Sequence, residues 1–597
     1  MALPSKQQNT NTASHGRDSS KKGEEKDIVL VTAALPYSNN VLHIGHVTST
    51  YIPADVYSRF RRLKGDDILF VCGSDVHGTP IEVAALATGK KPADYAEYYR
   101  LRHIDDFKKL NISFDNFYHT ASEENRILTQ DFLKAAYDKG YIEAKEVEQW
   151  YCEKDKRFLP DRFVKGNCPY CGAADQYSDV CESCGRVIEA GKIINPQCIL
   201  CRTTPTKRKA RHFFFRLRAL SDQLSSWLLR SSERDFPRGV INYVLNWITG
   251  GLEDWDITRE DYWGFKLPFK DAAPDQYAYV WWDAPIGYIA STVNLCNRIG
   301  RNWEHYWKNP AAKVVHFVGK DIIYHHLLFW PAMLIVAGYP LPRKYVVNGY
   351  LNLDGKKMSK SRKWFIPLRY IVDRYPTDYI RFYLASKAAN NIGDSDFSWQ
   401  EFQTRVNTGL ADMIGNFVNR TLKFINSNFS GKVPEPETYL GNDIDIKFKE
   451  FISKLPKEIE DLYESVNLTQ LLLKIVDSFG EANRYFNAKE PWKKLKNGEQ
   501  GESSAKTTLY LSINFIHDGA IYLQPITPSL SEQILGQMVS VEGQPGFGVR
   551  PTWEALGKFR VNPGTKIVEP KPLVEKISDD QIKKDVEILE KGLMATE

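Results

Sequence analysis

The chain reads as an α/β protein. It has an open sheet of alternating strands and helices, split by a cysteine-rich insertion and followed by an all-helical part. Three observations predict this. Apolar, β-branched runs at 28–32, at 67–72 and from Val314 each lead through a turn into a stretch with helical apolar spacing. Seven of the nine cysteines fall between Cys152 and Cys201 and break that pattern. From about residue 401 to 555 the apolar spacing is helical throughout, which predicts a helix bundle. A chain of 597 residues is too long for one core and should divide into roughly three to five domains.

The composition sets limits. With 43% hydrophobic and 13% aromatic residues the chain can bury a sizeable core. A formal charge of +5 permits an RNA partner through local patches without requiring one. The longest apolar run, 327–337, contains Pro331 and is too short to span a bilayer, so it reads as a buried segment. The first 26 residues are polar and rich in Ser, Asn, Gln and Lys, so disorder is expected there. They lack a signal-peptide core and carry one arginine, Arg17, which argues against an organelle transit peptide. The expectation is a cytoplasmic protein without a membrane segment.

The first strand runs into Ala34-Leu-Pro-Tyr-Ser-Asn-Asn-Val-Leu-His-Ile-Gly-His46 and then a helical pattern over 47–63. Strand, turn and first helical turn place His43 and His46 three residues apart on one face, beside the unpaired N–H groups of a helix start. That is an anion site, although two nearby histidines can equally be a surface or core pair. Gly45 between them leaves the backbone open to something flat. The second strand ends in Gly73-Ser-Asp-Val-His-Gly-Thr-Pro80. Asp75, His77 and Tyr37 thus lie where open parallel sheets bind ligands, although Asp75 could instead cap a helix. No Gly-x-Gly-x-x-Gly occurs, so a dinucleotide fold is not supported.

In the insertion, 141–270, Cys168-Pro-Tyr-Cys171 and Cys181-Glu-Ser-Cys184 are separated by nine residues. Two Cys-x-x-Cys pairs so close can close one tetrahedral thiolate site, which predicts structural zinc with no position left for substrate. A further pair, Cys198 and Cys201, has only Cys152 and Asp155 to complete it. Three thiolates and a carboxylate can hold a second zinc, or the knuckle can be vestigial and held by packing.

Past the insertion, Tyr277-Ala-Tyr-Val-Trp-Trp-Asp-Ala-Pro-Ile-Gly-Tyr288 ends a strand in aromatic residues, which suit either core packing or a polarisable pocket for a thioether. The basic loop Asp354-Gly-Lys-Lys-Met-Ser-Lys-Ser-Arg362 follows, and such loops are commonly solvated surface. In the bundle, Asn416 and Arg420 share a face and Trp492 follows a helix end. The last stretch, 577–590, reads as a short amphipathic helix capped by Ser578 or Asp579.

The early His-Ile-Gly-His and the late Lys-Met-Ser-Lys-Ser, in that order, resemble the two signatures of the class I aminoacyl-tRNA synthetases. The flanking residues from about 27 to 560 are similar to the methionyl-tRNA synthetases. The resemblance implies a Rossmann-like catalytic domain in two halves, 27–140 and 271–350, split by the zinc-knuckle insertion, 141–270. A stem-contact segment, 351–400, a helical anticodon-binding domain, 401–555, and a tail, 556–597, would follow. Methionine would be activated by ATP, with Mg²⁺, and then transferred to tRNA(Met). Catalysis would fall to His43, His46, Lys357 and Lys360. Methionine would meet Leu35, Tyr37, Asp75, Trp281, Ala284, Pro285, Tyr288, Ile322 and His326, with Asp75 on the α-amino group. ATP would meet Tyr37, His43, Gly45, His46, Gly319, Asp321, Leu351 and Lys360. Asn416, Arg420 and Trp492 would read the anticodon. The C-terminal dimerising barrel of some relatives finds no room here, so a monomer is expected. Three other readings compete. Synthetases for leucine, isoleucine or valine carry longer insertions, and the cysteine enzyme uses a zinc near its substrate. A non-catalytic RNA-binding paralogue should have lost His43, His46 or the lysine loop. A zinc-ribbon nucleic-acid-binding module would explain only 168–184.

Overall fold

The computed structural model describes residues 26–594 except 179–180, 182, 185, 187, 189–190, 233–234, 361, 437–442 and 540–551. The N-terminal stretch expected to be disordered therefore lies, Lys26 apart, outside the described residues.

The centre is a five-stranded sheet of β1 (Ile28–Ala33), β2 (Asp67–Ser74), β3 (Asn116–His119), β4 (Lys313–Gly319) and β5 (Lys344–Asn348). Its order is β5-β4-β1-β2-β3 and every pairing is parallel, as a Rossmann-like half-and-half sheet requires. Successive residues serve opposite faces. Val29, Val31, Phe70, Cys72, Val315 and Phe317 enter one core, whereas Leu30, Leu69, Val71, Val314 and Val318 enter the other. Burial on both faces is why these strands read as unbroken apolar runs instead of alternating ones. The strand order reverses between β1 and β4, which opens a crevice beyond their carboxyl ends.

Helix α1 starts at Ile44–His46, passes through a π-helical turn, Val47–Tyr51, and continues as Ile52–Leu63. The π turn was not expected from the sequence. The Thr48 and Ser49 hydroxyls donate to the Ile44 and Gly45 carbonyls at 2.8 and 3.1 Å, within the loosened turn. Helix α2 (Val280–Ile299) covers the other face of the sheet.

The insertion is more regular than its loop-rich sequence suggests. Strands Ile142–Cys152 and Thr206–Phe215 form a long antiparallel ribbon, with the cysteine segments at its far end around a small three-stranded sheet. Charged pairs such as Lys209 with Glu146 run along the exposed ribbon and hide the strand pattern in the sequence.

The bundle contains α3 (Asn416–Asn428), α4 (Asp443–Ser465), α5 (Leu468–Lys489) and α6 (Gly498–Leu523). Helix Pro528–Gly536 follows α6, and Met538–Val539 pairs with Lys566–Ile567 as a two-stranded ribbon. The stretch after 556, read as a tail, folds back. Helix α7 (Asp579–Glu590), capped by Ser578, buries Ile582 and Leu589 in the main core, and Asp585 accepts hydrogen bonds from Tyr370 and Tyr375. The amphipathic spacing announced an apolar face, but only the fold supplies the surface that covers it.

Candidate active site

A cavity of about 510 Å³ opens at the crevice between β1 and β4. Residues 34–37 follow β1, Asp75 follows β2, Gly319 ends β4 with Asp321 and Ile322 just beyond it, and the first turns of α2 form the far wall. All nine residues expected around methionine line it: Leu35, Tyr37, Asp75, Trp281, Ala284, Pro285, Tyr288, Ile322 and His326. Of the residues expected around ATP, Tyr37, His46, Gly319 and Asp321 line it as well, whereas His43, Gly45, Leu351 and Lys360 stand outside its wall.

His43 is the cap of α1. Its Nδ1 accepts from the Gly45 N–H at 3.1 Å, and the Nδ1 of His46 accepts from the His43 N–H, also at 3.1 Å. Both Nδ1 atoms are acceptors, so each neutral ring carries its proton on Nε2 and can donate there. Burial pushes His43 down to about 3 and His46 well below the usual histidine range, so neither ring is charged near neutrality. The rings lie 3.7 Å apart. A Cβ on Gly45 would come within 3.0 Å of the His43 ring and 3.2 Å of Met358, so glycine is the residue that lets these groups converge.

The basic loop reaches the same place. Lys360 Nζ donates to the Val41 carbonyl at 2.9 Å, just ahead of the two histidines, and burial lowers its pKa to about 8. Lys357 is exposed over the Tyr350 ring at 4.6 Å. Leu351 is buried at the start of the strand Leu351–Leu353, beneath the loop. A Cβ on Gly319 would lie 2.6 Å from the Asp321 carboxylate, which would have to swing from its present place to make room.

Asp75 does not cap a helix; Gly78, at φ +99°, precedes the helix Thr79–Ala87. The Asp75 carboxylate is buried, accepts from the His77 N–H and the Thr120 hydroxyl at 3.4 Å each, and has no cationic partner among the described residues. Burial, reinforced by the nearby Asp283 carboxylate, raises its pKa well above the usual carboxylate range. Its two donors among the described residues are both neutral. Across the cavity, Tyr288 donates to His326 Nε2 at 2.8 Å and His326 Nδ1 donates to the Ile322 carbonyl at 3.1 Å. Burial lowers the His326 pKa to about 4, so this wall is neutral. Trp281 stacks on His325 with ring centroids 3.7 Å apart. Arg162, from the insertion, lines the cavity on the Tyr37 side. The sequence reading assigned no role to His325, Arg162 or Asp283. Asp283 stands in the middle of the Trp281–Tyr288 motif, whereas nothing in the sequence connects Arg162 to the cavity.

The cysteines converge twice. The ligand atoms of Cys168, Cys171, Cys181 and Cys184 lie within 4.8 Å of one another, and so do those of Cys152, Asp155, Cys198 and Cys201. Backbone N–H groups of Tyr170, Cys184 and Asp155 point at the Cys168, Cys181 and Cys152 sulfurs at 3.3–3.4 Å. The Asp155 carboxylate lies 3.0 Å from Cys152 Sγ and 3.2 Å from Cys198 Sγ, where a fourth ligand would stand. Both sets could bind zinc.

On the bundle, Arg420 donates to Asn483 and Asn487 of α5 at 3.0 and 2.9 Å and lies 4.6 Å over the Phe486 ring. Trp492 packs against the same ring at 6.1 Å yet stays 40% exposed. Asn416, exposed, opens α3 one turn before Arg420.

Two family models match the chain: "tRNA synthetases class I (M)" over residues 29–422, and "Anticodon binding domain of methionyl tRNA ligase" over 431–588. A methionine–tRNA ligase of Methanopyrus kandleri is 41% identical over 563 residues, 93% of this chain and 81% of that protein. One of Methanosphaera stadtmanae is 39% identical over 565 residues, 93% of this chain and 82% of the other. Among solved structures, Mycobacterium tuberculosis methionyl-tRNA synthetase bound by methionyl-adenylate superposes with a TM-score of 0.74 at 26% identity, covering 92% of this chain and all of that one.

Proposed function

The chain belongs to the class I methionyl-tRNA synthetases, and from that membership we infer that it joins methionine to ATP and passes the methionyl group to tRNA(Met). The methionine carboxylate attacks the α-phosphate, pyrophosphate leaves, and the methionyl-adenylate then acylates the terminal ribose of the tRNA. The observation that carries this reading is the cavity at the strand-order reversal, where a buried, uncompensated Asp75 faces an apolar aromatic wall.

We assign the residues as follows. Asp75 pairs with the α-ammonium, and Trp281, Ala284, Pro285, Tyr288, Ile322 and His326 hold the thioether, with Leu35 and Tyr37 closing the near side. The protonated Nε2 atoms of His43 and His46 donate to the phosphates, and Gly45, Gly319, Asp321 and Leu351 form the nucleotide seat. Lys357 and Lys360 follow charge onto the departing pyrophosphate. ATP enters as its Mg²⁺ complex, the ion offsetting phosphate charge. Zinc in both cysteine clusters holds the end of the insertion together, and Asn416, Arg420 and Trp492 take up anticodon bases. The protein acts as a monomer in the cytoplasm, with the translation machinery that consumes its product. No helix among the described residues is long and apolar enough to cross a membrane.

The test is amino-acid-dependent ATP–pyrophosphate exchange, run separately with methionine, leucine, isoleucine, valine and cysteine. Exchange with methionine alone supports the pocket assignment. Exchange with another amino acid keeps the fold and overturns that assignment. No exchange from folded, zinc-loaded protein favours an RNA-binding paralogue.

A further inference from the structure

His212 lies on the insertion ribbon, outside the cavity, and its ring is buried between two carboxylates. Nδ1 meets Asp256 Oδ2 at 2.7 Å. Nε2 meets Glu260 Oε1, also at 2.7 Å, on an approach too oblique for a hydrogen bond. A neutral imidazole has one bare nitrogen, and a bare nitrogen this close to a carboxylate oxygen is repelled. Both ring nitrogens therefore carry protons. Burial alone would lower the His212 pKa, but the bonds and charges of Asp256 and Glu260 raise it to about 9. Lys145 stands opposite His212 across the ribbon and is engaged by Asp254 and Glu143. Arg259 Nη1 lies 3.9 Å from Asp256 Oδ2. The strand Gln276–Ala278 contributes Gln276, which donates to Glu260 Oε1 at 3.3 Å, and Tyr277, opposite Arg259.

The two carboxylates belong to the segment 255–260, which carries the position of the ribbon to the cavity wall. The Ile257 N–H donates to the Phe213 carbonyl at 3.0 Å, and the Phe213 N–H donates to the Thr258 hydroxyl at 2.8 Å. Asp256 Oδ1 accepts from the Thr258 N–H at 3.0 Å. Thr258–Glu260 pairs with Gln276–Ala278, and the Tyr279 N–H donates back to the Ile257 carbonyl at 3.0 Å. The Arg259 guanidinium lies 3.9 Å over the Tyr279 ring. Tyr279 immediately precedes α2, and Tyr279, Val280 and Trp281 line the cavity.

We propose that His212 is a resident imidazolium that locks the ribbon to the segment 255–260, making it a positioning residue for the methionine wall at Tyr279 and Trp281. The proposal rests on the reading that this wall holds methionine. Without the cation, Asp256 and Glu260 face one another as like charges in a poorly solvated place. The carboxylates then separate or one takes up a proton. Asp256 also receives the Thr258 N–H, so its displacement passes to the strand beside Gln276–Ala278 and on to the start of α2. A raised histidine pKa contributes stability that is complete below the unfolded value of about 6.5 and is lost as pH rises through about 9.

The charge is tested by nuclear magnetic resonance of protein with isotopically labelled histidines. One ring should stay protonated on both nitrogens at about pH 8 and titrate near pH 9, and Glu260→Gln should lower that midpoint. The positioning role is tested by pyrophosphate exchange at neutral pH. His212→Gln should raise KM for methionine by about tenfold, with kcat changing less. Adding Glu260→Gln removes one of the two opposed charges and should recover most of that loss, whereas a contact that only fills space would gain nothing from it. Urea unfolding midpoints of His212→Gln and the unaltered protein should converge between about pH 6.5 and pH 9. No ring protonated at about pH 8, an unchanged KM in folded His212→Gln, or no recovery in the double variant overturns the proposal. If His212→Gln fails to fold, the ring titration and its displacement by Glu260→Gln decide alone. Absence of methionine-dependent exchange in the unaltered protein would instead remove the reading of the wall, while the ring titration would still decide the charge.

Discussion

Arg381 Nη2 meets Asp55 Oδ2 at 2.7 Å, with both side chains fully buried. Asp55 lies in α1, whose first turn carries His43 and His46. The other donors of Arg381 reach the carbonyls of Leu110, Asn111, Pro525 and Ile526, the last two just past α6 of the bundle. At the end of α1, Arg61 pairs with Glu464 and Lys64 with Glu460, both on α4. The helix that carries His43 and His46 is therefore fastened to the bundle at its middle and its end.

Removing one partner of a buried ion pair leaves an uncompensated charge, so Arg381→Leu should destabilise the protein by about 3–5 kcal/mol in urea unfolding. Burial works to raise the Asp55 pKa, but Arg381, Arg59 and Ser113 hold it down at about 2. A depressed carboxyl contributes stability above its unfolded pKa and loses it as pH falls through the folded one. The Asp55 contribution should fade between about pH 4 and pH 2, and unfolding midpoints of Asp55→Asn and the unaltered protein should converge across that window.

Lys360→Ala should leave methionine binding intact and slow adenylate formation by roughly 10²–10³-fold in single-turnover measurements. Lysine loses its charge as pH rises through its pKa, which burial has lowered to about 8. The kcat/KM for ATP should therefore fall above about pH 8, and Lys360→Arg should move that limb upward.

Metal analysis should find two zinc ions per chain. Asp155→Ala should lower the count to one, because three thiolates would be left around the second position. A count of one in the unaltered protein would mark the second cluster as a knuckle held by packing.

Trp492→Ala should weaken tRNA(Met) binding by about 1–3 kcal/mol, the range for one stacked base. KM for tRNA in the charging reaction measures it, while pyrophosphate exchange, which needs no tRNA, should keep its rate. An unchanged KM for tRNA would leave Trp492 as packing against Phe486.

The sequence by itself determined the parts whose chemistry is local. A strand buried on both faces must be apolar throughout, so β1, β2 and β4 were legible. A thiolate site needs closely spaced cysteines, so the 168–184 cluster was legible as well. The two signature stretches identified the family before any coordinates. Tertiary structure alone decided what depends on contact between distant segments. It folded α7 back onto Tyr370 and Tyr375, and set Asp283 against the His77 ring across more than two hundred residues. Local spacing gives an amphipathic face or an acidic side chain its position along the chain. Which surface covers the face, and which charge opposes the acid, follows only from the packing of elements that never meet in sequence.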